Sequence, residues 1–156
     1  QLQRLVTNMQ FFNSLLANLK SRPHWMNALM LFCAYMTFIY LPWDVLLKPL
    51  SEDQEVWFGL LFTGWAAKAG GLLHWYVYGA GFWGFWKMRT WMFPWAALYT
   101  VQIAAGMFIW SFLDDRGGGV TSGLLVAIPF LALAAVLWRT SYFKAAAETV
   151  EDSALK

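Results

Sequence analysis

The order of apolar and polar positions along the chain predicts helices before anything else. Leu2, Leu5, Met9, Phe12, Leu16 and Leu19 recur at steps of three and four, while Gln3, Asn8, Asn13 and Asn18 fall mostly elsewhere on the wheel. That spacing predicts an amphipathic helix over residues 2–19, too polar to span a bilayer and suited to lying in its interface. Packing on a partner subunit is the alternative. Pro23 fits a turn or the start of the next helix. The run WMNALMLFCAYMTFIYLPW, residues 25–43, carries no charge. A span needs about 20 apolar residues, and Trp at both ends with Tyr40 fits the aromatic belts of a membrane. This is the first expected transmembrane helix.

Pro49 and the acids Glu52, Asp53 and Glu55 then mark a water-exposed loop. The long apolar stretch that follows, residues 56–86, is about 46 Å as one helix, too long for a core of about 30 Å. It is too short for two spans and a turn. The expectation is a break at Gly70-Gly71, because glycine weakens helices and permits bends. Residues 56–69 would form an interfacial or re-entrant helix, with Lys68 reaching the interface, and residues 72–86 the second span. A short basic turn with Lys87 and Arg89 leads to an uncharged run over residues 91–113, the third span. DDRGGG (114–119) reads as a loop, and residues 120–138 as the fourth span, with a kink expected at Pro129. The polar tail, residues 145–156, is expected to form a short fraying helix.

The predicted fold is therefore all-α and integral to the membrane: an interfacial arm (1–24), a four-helix transmembrane domain (25–144) and a polar tail (145–156). Arg4, Lys20 and Arg22 precede the first span without an acid among them, whereas the loop after it holds four acids. The positive-inside rule then puts both termini in the cytoplasm, across a bacterial-type inner membrane.

Composition agrees. Of 156 residues, 60% are hydrophobic and 13% charged, with 11 Trp, against about 25% charged in soluble domains. A net charge of +2 without a basic stripe excludes nucleic acid as a partner. Cys33 is the single cysteine and reads as a buried hydrophobe, so neither an internal disulfide nor a cysteine-based metal site is expected. The start at Gln1 rather than Met suggests that the true N-terminus lies upstream, and no signal-peptide pattern opens the chain.

Small residues repeat at four-residue spacing in Ala80 and Gly84 and in Ala96, Thr100 and Ala104, faces expected to meet in a hairpin of the second and third spans. Gln102 lies mid-span, where an amide needs a partner: another helix or a ligand. His74 is the foremost candidate for chemistry, as an intramembrane ionisable group flanked by Trp75, Tyr76 and Tyr78. It could hold a metal, a tetrapyrrole or a proton, or be a plain interfacial hydrogen-bonding group. His24 falls at the opposite interface, so the two cannot share one metal. Asp44, Lys68 and His74 fall at similar depth and define a possible outer pocket; a solvated charged face is the plainer reading of the acids. No phosphate loop, hydrolase elbow, HExxH or CxxC motif occurs.

VWFG…GW (56–65) followed by GFWGFWKMRTWMFPWAALY (81–99) resembles small four-helix bacterial membrane proteins of the DoxX-like and DUF2127-like kind, with their glycine-rich span, basic turn and R-x-W motif. The resemblance covers the middle third of the chain and implies a four-helix inner-membrane fold. ALYTVQIAAGMFIWS (97–111) is also similar to the tryptophan-rich sensory proteins, which bind porphyrins and sterols, but their W-x-P-P motif and fifth span are missing and no site is carried over. The first functional expectation is a non-catalytic accessory subunit of a larger membrane complex, in contact with lipids and other subunits and without a fixed cofactor. The others are a binding module for a lipid, quinone or tetrapyrrole near His74, and a small enzyme or transporter using Asp44, Lys68 and His74.

Overall fold

The computed structural model describes residues 2–140 and 142–143; Gln1 and the expected tail helix over 145–156 lie outside the described residues. Helix α1 (Leu2–Lys20) leads into a rod, His24–Leu46, built of α2 (His24–Tyr35), a π-helical turn (Met36–Tyr40) and α3 (Leu41–Leu46). The wide turn accommodates Pro42, whose ring cannot sit in a regular helix interior. In the turn the Leu41 amide donates to Met36 O, five residues back. The equivalent partner of Thr37 O would be Pro42, which has no N–H; the Trp75 indole donates to it instead, at 2.8 Å. Trp75, named above as a neighbour of the candidate His74, therefore ties the first span to the neighbouring helix α4.

After a short 3-10 turn (Leu50–Glu52) the chain departs from expectation. Residues 54–63 form an antiparallel hairpin, β1 (Gln54–Trp57) paired with β2 (Leu60–Thr63), with Trp57 opposite Leu60. Its two-residue loop, Phe58-Gly59, has φ of 52° and 83°, the positive pair that matches strand twist. The expected helix over 56–69 is thus replaced by strands, and α4 (Gly64–Lys87) runs unbroken through Gly70-Gly71. These glycines give room rather than a bend. A Cβ on Gly70 would stand 2.7 Å from Trp57 Nε1, and one on Gly71 3.1 Å from the Val45 side chain.

Helices α5 (Met92–Leu113) and α6 (Gly119–Arg139) pack along each other, as do α2 and α4. Helical dihedrals in α5 break at Phe93 and resume from Pro94, while Pro129 lies inside the continuous α6. Beyond the turn, α4 and α5 meet little. The expected small-residue contact is confined to the turn end, where Gly84 has no room for a Cβ against Met92 and Trp91. Ala80, Ala96 and Thr100 face a gap between the helices, and Ala104 is buried away from it.

Near the turn the core gathers Met26, Met30, Phe85, Met92, Leu137 and Phe143. Arg22, 4% exposed, closes this end. It donates to Phe85 O at 2.7 Å and to the side chains of Asn18 and Asn27 at 2.6 Å each. A cation at the carbonyl end of α4 also complements its dipole. Along α1, Met9, Phe11 and Phe12 are exposed.

If Gly70 provides space, Gly70→Ala should cost about 1–3 kcal/mol through overpacking, despite the roughly 1 kcal/mol that alanine gains in helix propensity. Melting in detergent checks this. The cost should vanish in a Trp57→Ala background, whereas a hinge glycine would show the same effect in both.

Candidate functional site

Hairpin and helix meet in a buried ion network. Asp53, 2% exposed, bridges Lys68 Nζ at 2.9 Å and Lys48 Nζ at 3.3 Å. Lys48 also reaches Asp44 Oδ1 at 2.9 Å, and Lys68 donates to the backbone oxygens of Asp44 and Lys48 at 2.6 and 2.9 Å. Asp44 is 1% exposed. The acidic loop is thus only partly the solvated face expected of it: Glu52 is exposed, but Asp44 and Asp53 are among the most buried side chains. Burial pushes the Asp53 carboxyl up, and the two ammonium groups outweigh it and hold it below its ordinary value. For Lys48, burial pulls the ammonium down, and its bonds to Asp44 and Asp53 outweigh that and raise it.

Two residues further along, Glu55 Oε2 lies 3.0 Å from His74 Nδ1. Trp57 stacks on the same imidazole, centroids 4.1 Å apart. His74 therefore has a carboxylate on one ring nitrogen and an indole on one face, both supplied by the hairpin.

Between α4 and α5 lies a slot of about 930 Å³. Glu55, Val56 and His74 line its hairpin end, and Phe85, Met92 and Leu137 line the turn end. Along α5 the wall is Ala96, Tyr99, Thr100, Ile103, Gly106 and Met107, one helical face by spacing. Tyr78 and Tyr99 meet edge-on within it, centroids 6.1 Å apart. Gln102 Oε1 is buried on this wall without a hydrogen-bond partner, and the Tyr99 hydroxyl lacks a well-formed one. Tyr76, Trp95 and Leu98 stand exposed among the lining residues, which leaves the slot's side open toward its surroundings.

Of the residues singled out from sequence, the slot gathers His74, Gln102, Ala80, Ala96 and Thr100. Asp44 and Lys68 do not line it; they sit in the ion network behind the hairpin. His24 lies beside the Arg22 clamp at the other end, and no cluster of metal-ligating side chains occurs among the described residues. Sequence reasoning missed Glu55 as the histidine's partner and the Tyr99–Ile103–Gly106 face of α5. The second had a signal, in the alternation of large and small residues at helical spacing.

The His24–Leu46 rod, α5 and α6 are each long and apolar enough to cross a bilayer, which defines a multi-pass membrane protein. The chain matches no known family, no curated protein and no solved structure.

The sign of the pH response follows from the network. Asp53 is depressed in the fold, so its contribution is complete above the ordinary value of 3.8 and is lost as pH falls through the lower folded value. Lys48 is raised, so its contribution holds below 10.5 and fades as pH rises through the folded value. Asp53→Asn should lower stability by about 3 kcal/mol near neutral pH. Unfolding in detergent should show that gap closing as the pH falls below about 4; an unchanged gap in acid would remove the ion network from the account.

Proposed function

We propose that the protein is a four-span membrane module that takes up a hydrophobic, lipid-like ligand sideways from the bilayer into the slot between α4 and α5. In this reading α4 also crosses the bilayer, as the second of four spans in chain order. Its 24 residues reach about 36 Å, enough to cross with tilt. Both termini face the cytoplasm of a bacterial-type inner membrane, and α1 lies in the interface.

One observation carries the proposal. The slot is walled almost wholly by apolar and aromatic side chains, with a few polar groups among them, Glu55 and His74 at its hairpin end and Gln102 along α5. That is the usual composition of a small-molecule site. The open side, rimmed by Tyr76, Trp95 and Leu98, suits a ligand arriving from lipid rather than from water.

The accessory-subunit reading keeps one observation in its favour. Helix α1 leaves Met9, Phe11 and Phe12 exposed, so a partner subunit could cover them. The enzyme or transporter reading rests on Asp44, Lys68 and His74, of which His74 alone lines the slot.

Ile103→Trp narrows the slot at mid-length. Lipid extracts of the purified protein should then contain several-fold less bound ligand per chain, with little change in melting temperature. Leu125→Trp, on the exposed side of α6 (71% exposed), should change neither. Mass spectrometry and an absorption spectrum of the extracts read the result, a visible chromophore marking a tetrapyrrole. Equal ligand content in wild type and Ile103→Trp would sink the proposal.

A further inference from the structure

The polar end of the slot restricts what head a ligand could bring. This step rests on the slot being a ligand site. Among the described residues lining it, Glu55 is the one carboxylate, and there is no lysine or arginine. The nearby ammonium groups of Lys48 and Lys68 are held by Asp53 and Asp44. A phosphate or carboxylate head would therefore lie beside Glu55 with no lysine or arginine to meet it, a costly arrangement in a low-dielectric site.

Hydrogen-bonding capacity restricts the head further. With Glu55 accepting from His74 Nδ1–H, Nε2 is an acceptor whenever the ring is neutral. Gln102 Oε1 is a buried acceptor without a donor. The Tyr99 hydroxyl, one helical turn away, is buried beside Tyr78 and can both donate and accept. At membrane depth such groups are costly unless a partner satisfies them. An O–H group is donor and acceptor at once and answers both. From Gln102 to Met92 the α5 wall continues for about 15 Å toward the turn, lined there by Phe85, Met92 and Leu137.

We infer that the slot is selective for an amphiphile with an uncharged, hydroxyl-bearing head on a long hydrocarbon tail. The hydroxyl donates to Gln102 Oε1 and accepts from Tyr99, and the tail runs toward the α4–α5 turn. Two sources share this chemistry: neutral lipid alcohols, and isoprenoid quinols whose oxidised quinone form has no donor.

The test uses full-length protein stripped of lipid by detergent exchange. It is titrated with a long-chain alkanol, its methyl ether and its phosphate monoester, all on one tail, with occupancy read by native mass spectrometry. The alkanol should bind about tenfold tighter than either of the others, the worth of one well-made hydrogen bond. Gln102→Met should erase the preference for alkanol over ether while leaving ether binding intact, which also reports that the variant is folded. A prenyl alcohol and a prenylated quinol–quinone pair then separate the sources. Stronger binding of the quinol than of its quinone and of both alcohols assigns the site to quinols; otherwise a tight alcohol assigns it to neutral lipids. Equal binding of alkanol and ether, or tightest binding of the phosphate, overturns the hydroxyl inference and leaves the slot reading standing. Binding of no member of the series overturns both.

Discussion

A carboxylate buried between two ammonium groups sets the arrangement of everything above it. Asp53 is almost fully covered, and an uncompensated charge there would be strongly destabilising. It therefore binds the loop wherever Lys48 and Lys68 can both reach it. Lys68 lies in the second turn of α4, so the hairpin that follows Asp53 must begin against that helix. Glu55 then falls on His74, Trp57 falls on the imidazole face and over Gly70, and Val56 closes the end of the slot. One electrostatic constraint thus fixes the surroundings of the histidine.

The rest of the bundle explains why a slot remains. The α2–α3 rod pairs with α4, and α5 pairs with α6, giving two halves. At the turn end a core of methionine and aromatic side chains joins them, with Arg22 capping the α4 carbonyls beside it. At the hairpin end Gly59 lies against Ile109, and Arg116 reaches from the α5–α6 loop to Gln54 at 3.0 Å. Arg116 is itself anchored by Asp114, whose carboxyl its guanidinium holds down at about 2. Braced at both ends, the halves are separated in between by tyrosine rings that meet edge-on. Small residues at Ala80, Ala96 and Thr100 widen the gap instead of closing it.

The apolar runs of the rod, α5 and α6 were legible because length and lack of charge suffice to identify them. The hairpin was not. VWFGLLFT is apolar throughout, so it shows neither alternation nor helical period, and its Phe-Gly loop lacks the asparagine or aspartate that usually announces such a turn. Gly70 and Gly71 looked like a break because glycine is a poor helix former. Their actual reason, space for Trp57 and Val45, comes from segments distant in sequence. His74 and Gln102 stood out as polar groups in apolar surroundings. What the chain could not disclose was that Glu55 would cross the hairpin to the histidine, or that α4 and α5 would stand apart beside the amide.

The most direct measurement is an experimental density map of the protein extracted gently from its native membrane. The account predicts an elongated feature along α5 between Tyr99 and Met92, with its polar end within hydrogen-bonding distance of Gln102 and Tyr99. A map in which α4 packs directly onto α5 through Ala80, Ala96 and Thr100, with no space between them, would contradict it.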